Sequence, residues 1–93
     1  MDKRTQFYKK LKKKLKKDTL FPTKYLFKFI VPYSEDNISQ IENMFDHTGA
    51  VITKTASKTG KYVSISVLVI MKKPDDIIEK YMEAEKVEGI VSL

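Results

Sequence analysis

From Val63 to Met71 every second residue is apolar: Val63, Ile65, Val67, Val69 and Met71. That is the period of a strand with one face against a core. Just ahead of it, Ser57-Lys58-Thr59-Gly60-Lys61-Tyr62 carries a glycine where a hairpin needs backbone freedom, so a tight turn is predicted between strands over 50–57 and 61–72. The earlier of these strands is β-branched but mixed in polarity, which predicts an edge position. Residues 23–32 alternate as well. Tyr25, Phe27, Phe29 and Val31 form a uniformly large set predicted to face the core, and Lys24, Leu26, Lys28 and Ile30 the set predicted to face away.

Helical spacing appears in three places. Phe7, Leu11 and Leu15 recur every fourth residue, with Tyr8 beside them, and predict an N-terminal helix of narrow apolar stripe. Asp2 near its start and lysines in its last turn suit the helix dipole. Pro22 ends that segment and holds Phe21 extended. Ser34 is an N-cap for a helix bearing Ile38, Ile41, Met44 and Phe45, with Gly49 as its C-terminal cap and His47 in its last turn. Pro74, followed by Asp75 and Asp76, opens another helix with Ile77, Ile78, Tyr81 and Met82 on its apolar face. Met44, Met71 and Met82 read as core filler. A last strand is predicted over 87–93, interrupted at Gly89.

The order after the N-terminal arm is strand, helix, strand, strand, helix, strand. It predicts an α+β, ferredoxin-like βαββαβ two-layer sandwich, an antiparallel sheet with both helices on one face. The chain divides into a basic N-terminal helix, 1–19, and a ferredoxin-like domain, 20–93. At 93 residues it has room for one core.

Charge changes the picture only once it is located. Residues 1–17 carry nine basic groups against Asp2, a net +8, and the remaining 76 carry nine against eleven, a net −2. The basicity therefore belongs to the arm: Lys9, Lys10, Lys12, Lys13, Lys14, Lys16 and Lys17, with Lys3 and Arg4. Three readings of it stand: a solvated face on a docked helix, contact with nucleic acid, or contact with a membrane surface. The chain has no cysteine, which excludes disulfides and thiolate chemistry and makes a reducing cytoplasm the default. No apolar run approaches the length of a membrane span and no signal-peptide pattern is present, so a soluble cytoplasmic protein is expected.

Candidate chemistry is sparse. His47 is the one histidine, without a carboxylate or second ligand at useful spacing, and reads as a helix-end residue. Asp75 and Asp76 mimic an acid/base pair but serve a helix N-terminus. With no phosphate-binding glycine loop and no metal-ligand spacing either, no enzyme, no catalytic residue, no metal and no cofactor is expected. Lys58-x-Gly60-Lys61-Tyr62-Val63 echoes the basic-Gly-aromatic box of RNA-recognition motifs. The echo fails on face assignment, since Tyr25, Phe27 and Phe29 fall on the core side and Ser64 stands where a second aromatic would stack.

Phe21-Pro22, the stretch from Ser57 to Ile65 with Ser57, Gly60, Tyr62 and Ser64 at its key positions, Ile78 with Tyr81, and the ending from Val87 to Leu93 together resemble the YbeD-like family of small bacterial domains. The resemblance covers the chain from Leu20 onward and departs from the family at Thr59, where a lysine commonly precedes the glycine. It implies an ACT-like fold, a regulatory role that has been proposed without being established, and no catalytic residues. Amino-acid-binding ACT domains commonly place a glycine between first strand and first helix. Here that turn is Pro32-Tyr33-Ser34-Glu35, so amino-acid binding is not expected.

Alternation leaves Leu26, Ile30, Tyr62, Ser64, Ser66, Leu68 and Ile70 on the side of the sheet away from the helices, an apolar patch that a soluble monomer seldom leaves bare. Three covers are conceivable: the Phe7-Leu11-Leu15 stripe folded back, the same stripe from a second chain, or the matching face of another subunit. A homodimer is the favoured expectation, with an enzyme it regulates as a further partner and nucleic acid as the alternative through the arm.

Overall fold

The computed structural model describes residues 3–93. Asp2, read above as favouring the helix dipole, lies outside the described residues. In chain order the elements are α1 (Lys3–Asp18), β1 (Thr23–Pro32), α2 (Glu35–Met44), β2 (Val51–Ala56), β3 (Tyr62–Met71), α3 (Pro74–Ala84) and β4 (Val91–Ser92). The four strands form one antiparallel sheet in the order β2-β3-β1-β4. The two longest and most apolar strands sit at its centre, and β2, with its threonines and lysine, sits at an edge. Edge strands tolerate such mixed polarity because only one neighbour contributes packing.

β1 and β3 pair along their whole length, Phe27 opposite Val67 and Phe29 opposite Ile65. Their large set points at α2 and α3. Phe27, Phe29, Val31, Ile65 and Val67 are completely buried, joined by Ile41 from α2 and Ile77 from α3. Phe27 stacks on Phe29 with ring centroids 5.8 Å apart and also meets Phe45 and Tyr81. Burying rings of this size is the largest single contribution to a small core.

The hairpin between β2 and β3 shows what the serine of the motif does. Ser57 N donates to Tyr62 O at 2.8 Å, Tyr62 N donates back to Ser57 Oγ at 3.1 Å, and Gly60 N donates to Ser57 O at 3.0 Å. Gly60 has φ +75°, a left-handed conformation that a β-carbon penalises. Ser57 Oγ thus replaces a ladder partner where the strands splay into the turn.

Ser34 caps α2, its Oγ accepting from Asn37 N at 3.0 Å. The helix ends at Met44, earlier than Gly49, so His47 is not in its last turn. It lies in the following turn with φ 62°, while the Lys80 ammonium donates to Met44 O and lies 5.2 Å from the Phe45 ring. A cation from α3 therefore supplies the C-terminal charge expected of His47.

Three further expectations are corrected. Met82 is 47% exposed and fills no core, because α3 turns Ile77, Ile78, Tyr81 and Ala84 inward and places Met82 beyond that arc. The last strand shrinks to Val91–Ser92, since Val87 closes the turn after α3 and Gly89 bends the chain with φ +76°. In α1 the docked side is Tyr8, Leu11 and Leu15, whereas Phe7 is 60% exposed. α1 packs against α3, not over the far side of the sheet. Tyr8 supplies what the four-residue stripe lacked: its ring is buried and its hydroxyl donates to the Glu85 carboxylate just past α3. Arg4 Nη1 reaches the same carboxylate at 3.4 Å, and Lys12 Nζ pairs with Asp75 at 2.6 Å.

Candidate interaction surface

The far side of the sheet is built by register. In antiparallel strands directly opposed residues share a face. One row runs Val51, Leu68, Leu26, a second Thr53, Ser66, Lys28, and a third Thr55, Ser64, Ile30, Val91. Ile70 lies opposite Lys24 and Tyr62 opposite Pro32 at the two ends. The face thus has an apolar end of Val51, Leu68, Leu26 and Ile70, a hydroxyl-rich middle, and a second apolar end of Ile30, Val91 and Tyr62. Leu26 is 56% exposed, Leu68 39%, Ile70 60% and Val51 64%. Ile30, Ser64 and Ser66 are half-buried. No helix covers this face among the described residues.

Val51 and Val91 were not singled out from the sequence. For Val51 a signal existed, the alternation of Val51, Thr53 and Thr55 against Ile52, but mixed polarity hid which set faced outward. For Val91 none did, because a two-residue strand has no period to read.

The basic arm takes a definite orientation. With Tyr8, Leu11 and Leu15 turned toward α3, Lys10, Lys13, Lys14 and Lys17 fall at three- and four-residue spacing on the outer side, all exposed. Lys9 and Lys16 flank that stripe, and Lys12 is drawn to Asp75. The Lys12 ammonium, by its hydrogen bond, holds the Asp75 carboxyl below the ordinary carboxylate value.

A cleft of about 650 Å³ opens between α1, the C-terminal end of α3 and the β4 edge. Tyr25 and Tyr81 lie in its lining with their hydroxyls 2.8 Å apart. Burial, and then that hydrogen bond, push the Tyr81 phenol well above its usual value. Burial and the bond to Glu85 do the same to Tyr8. Both phenols are neutral at physiological pH. Among the described residues no group of histidine, aspartate and glutamate is arranged to hold a metal, and no helix is long and apolar enough to cross a membrane.

The model of the family described as "Protein of unknown function (DUF493)" matches residues 16–93. No curated protein matches the sequence. Among solved structures, the ACT domain from the GTP pyrophosphokinase of Chlorobium tepidum is similar, with a TM-score of 0.55 at 16% identity, covering 76% of this chain and 100% of that one. At this identity the likeness speaks for the fold alone, and that fold is ACT-like.

Proposed function

The chain belongs to the DUF493 (YbeD) family, whose function is unknown, and we propose that it is a non-enzymatic regulatory module that acts by association through the open face of its sheet. The observation carrying this reading is the apolar end of that face, where Val51, Leu68, Leu26 and Ile70 are all substantially exposed on adjoining strands. Soluble monomers rarely leave a contiguous patch of more than a few hundred Å² uncovered. The arm, which was one conceivable cover, is occupied with α3. A second copy is the cover we favour, because a sheet face with an apolar patch at each end and a polar middle row of Thr53, Ser66 and Lys28 can set apolar end on apolar end about a two-fold axis. Regulation of an enzyme partner in the cytoplasm is the role this reading assigns. An ACT domain taken from an enzyme is similar in fold, which is consistent with it.

Sedimentation equilibrium tests the association. The wild-type protein is expected to sediment as a dimer at micromolar concentration and Leu26→Lys/Leu68→Lys as a folded monomer. A wild-type protein monomeric at the highest attainable concentration would refute the reading.

A second reading is favoured by one observation, the outward stripe of Lys10, Lys13, Lys14 and Lys17 on a helix whose other side is docked. Such a stripe suits a phosphate backbone, and binding of RNA or DNA through it would weaken steeply with salt. Charge reversal of Lys10 and Lys14 to glutamate should abolish that binding. Retention of wild-type affinity would exclude the arm as the site.

A further inference from the structure

We propose that the cleft between α1 and the β4 edge binds a small aromatic monoanion, at a site separate from the open face of the sheet. Its volume, about 650 Å³, lies within the range of roughly 300–1,000 Å³ usual for small-ligand sites. It exists because Tyr8 and Leu15 fasten α1 to α3, leaving the neighbouring side of the helix as a wall. Phe7 and Leu11 form that wall, Tyr25 and Tyr81 come from the domain, and Ile90 and Leu93 lie on the β4 side.

The lining selects the ligand class. Phe7 is 60% exposed yet belongs to a concave surface, its ring set edge-on to Tyr8 at a centroid distance of 5.6 Å. Tyr25 and Tyr81 are likewise edge-to-face, at 6.3 Å. A flat ring entering here meets both ring edges and ring faces, the two geometries that aromatic pairs favour. Lys3 and Arg4 stand in the lining with Glu85, which already accepts from Arg4 and Tyr8. Arg4 is thereby engaged, which leaves the Lys3 ammonium to meet the carboxylate of a monoanion. The tyrosine pair adds direction. Two phenols bring two protons and their mutual bond uses one, so the other remains to donate to a ligand oxygen.

Titration of the full chain with naphthoate, followed by amide NMR, tests the site. Saturable shifts are expected for Phe7, Leu11, Tyr25, Tyr81, Ile90 and Leu93, with the neutral naphthamide binding at least threefold more weakly. Phe7→Ser and Leu93→Ser alter exposed side chains and should each lower naphthoate affinity about tenfold. Leu26→Lys/Leu68→Lys, on the open face, should leave it unchanged, so failure here is distinct from failure of the association reading. Shifts confined to the open sheet face, no saturation, equal binding of the amide, or wild-type affinity in both serine variants would each overturn the proposal.

Discussion

Adjacent residues of β1 live in opposite environments. Phe27, Phe29 and Val31 are sealed beneath α2 and α3, whereas Leu26 on the other side of the same backbone is more than half exposed and Ile30 half-buried. Leu26 and Ile30 are themselves as apolar as residues of the buried set, although Lys24 and Lys28 share their face, so the transfer energy of those two side chains alone does not account for their exposure. What separates the two sets is whether the chain supplies a cover. Two helices and an aromatic cluster cover one face, and the other is left with leucines, isoleucine and valines interrupted by a row of threonine, serine and lysine. The buried face accounts for folding, and the bare one is the surface that the proposed association would use.

The widest gap between the faces should appear on truncation. Phe29→Ala removes a completely buried ring stacked on Phe27, and about 3–5 kcal/mol of stability should be lost. Urea denaturation reads this directly, and a loss below about 0.5 kcal/mol, the size usual for surface positions, would break the contrast.

Smaller effects come from the glycines. Gly60 and Gly89 share nearly the same φ, +75° and +76°. A β-carbon at Gly60 would meet open space, while one at Gly89 would lie 2.7 Å from Pro32 Cγ at the end of β1. Gly60→Ala should cost about 1 kcal/mol from backbone conformation alone. Gly89→Ala should add a further 1–3 kcal/mol or so of overpacking. Equal melting temperatures for the two variants would mean that the turn before β4 does not close on Pro32.

Most of the fold was legible because its strands are long. β1 runs over the residues that alternation assigned, and Ser34, Gly60 and Pro74 each mark a boundary or turn through a known backbone requirement. Legibility failed where a long-range partner decides the outcome. The cation at the end of α2 is Lys80 from α3, and α1 docks through Tyr8, Leu11 and Leu15 with Glu85 as its partner, a residue that nothing within the arm specifies. The arm cleft escaped notice for the same reason. Its lining is gathered from four elements, and none of them carries a local motif.

The arm's attachment should respond to alkali. Folding keeps the Tyr8 phenol neutral above its ordinary pKa of 10.0. Its contribution is therefore complete below pH 10 and is lost as pH rises toward the folded value. Hydrogen exchange of α1 amides should accelerate above pH 10 before that of β3. Simultaneous acceleration of both would show that the arm does not release on its own. The Lys12–Asp75 pair is exposed, and Asp75→Asn should leave the melting temperature nearly unchanged.

Smallest of all in folding energy, and most telling for function, are changes on the bare face. Leu26→Lys/Leu68→Lys should alter the stability of the isolated fold by no more than about 0.5 kcal/mol per site while abolishing self-association. A monomer that unfolds in the same experiment would assign those leucines to the core.

The central claim, that the open face meets its own copy, can be tested by proximity. The chain has no cysteine, so a single introduced thiol reports unambiguously on one position. Thr53, Ser66 and Lys28 cross the middle of the face, where a two-fold axis would bring a residue against its counterpart, and a disulfide forms only when the two β-carbons come within about 4.5 Å. Cysteine placed at each in turn should give, for at least one of them, rapid disulfide-linked dimer under mild oxidation, far faster than Glu79→Cys on the outer side of α3. Three face positions that cross-link no faster than position 79 would contradict the account.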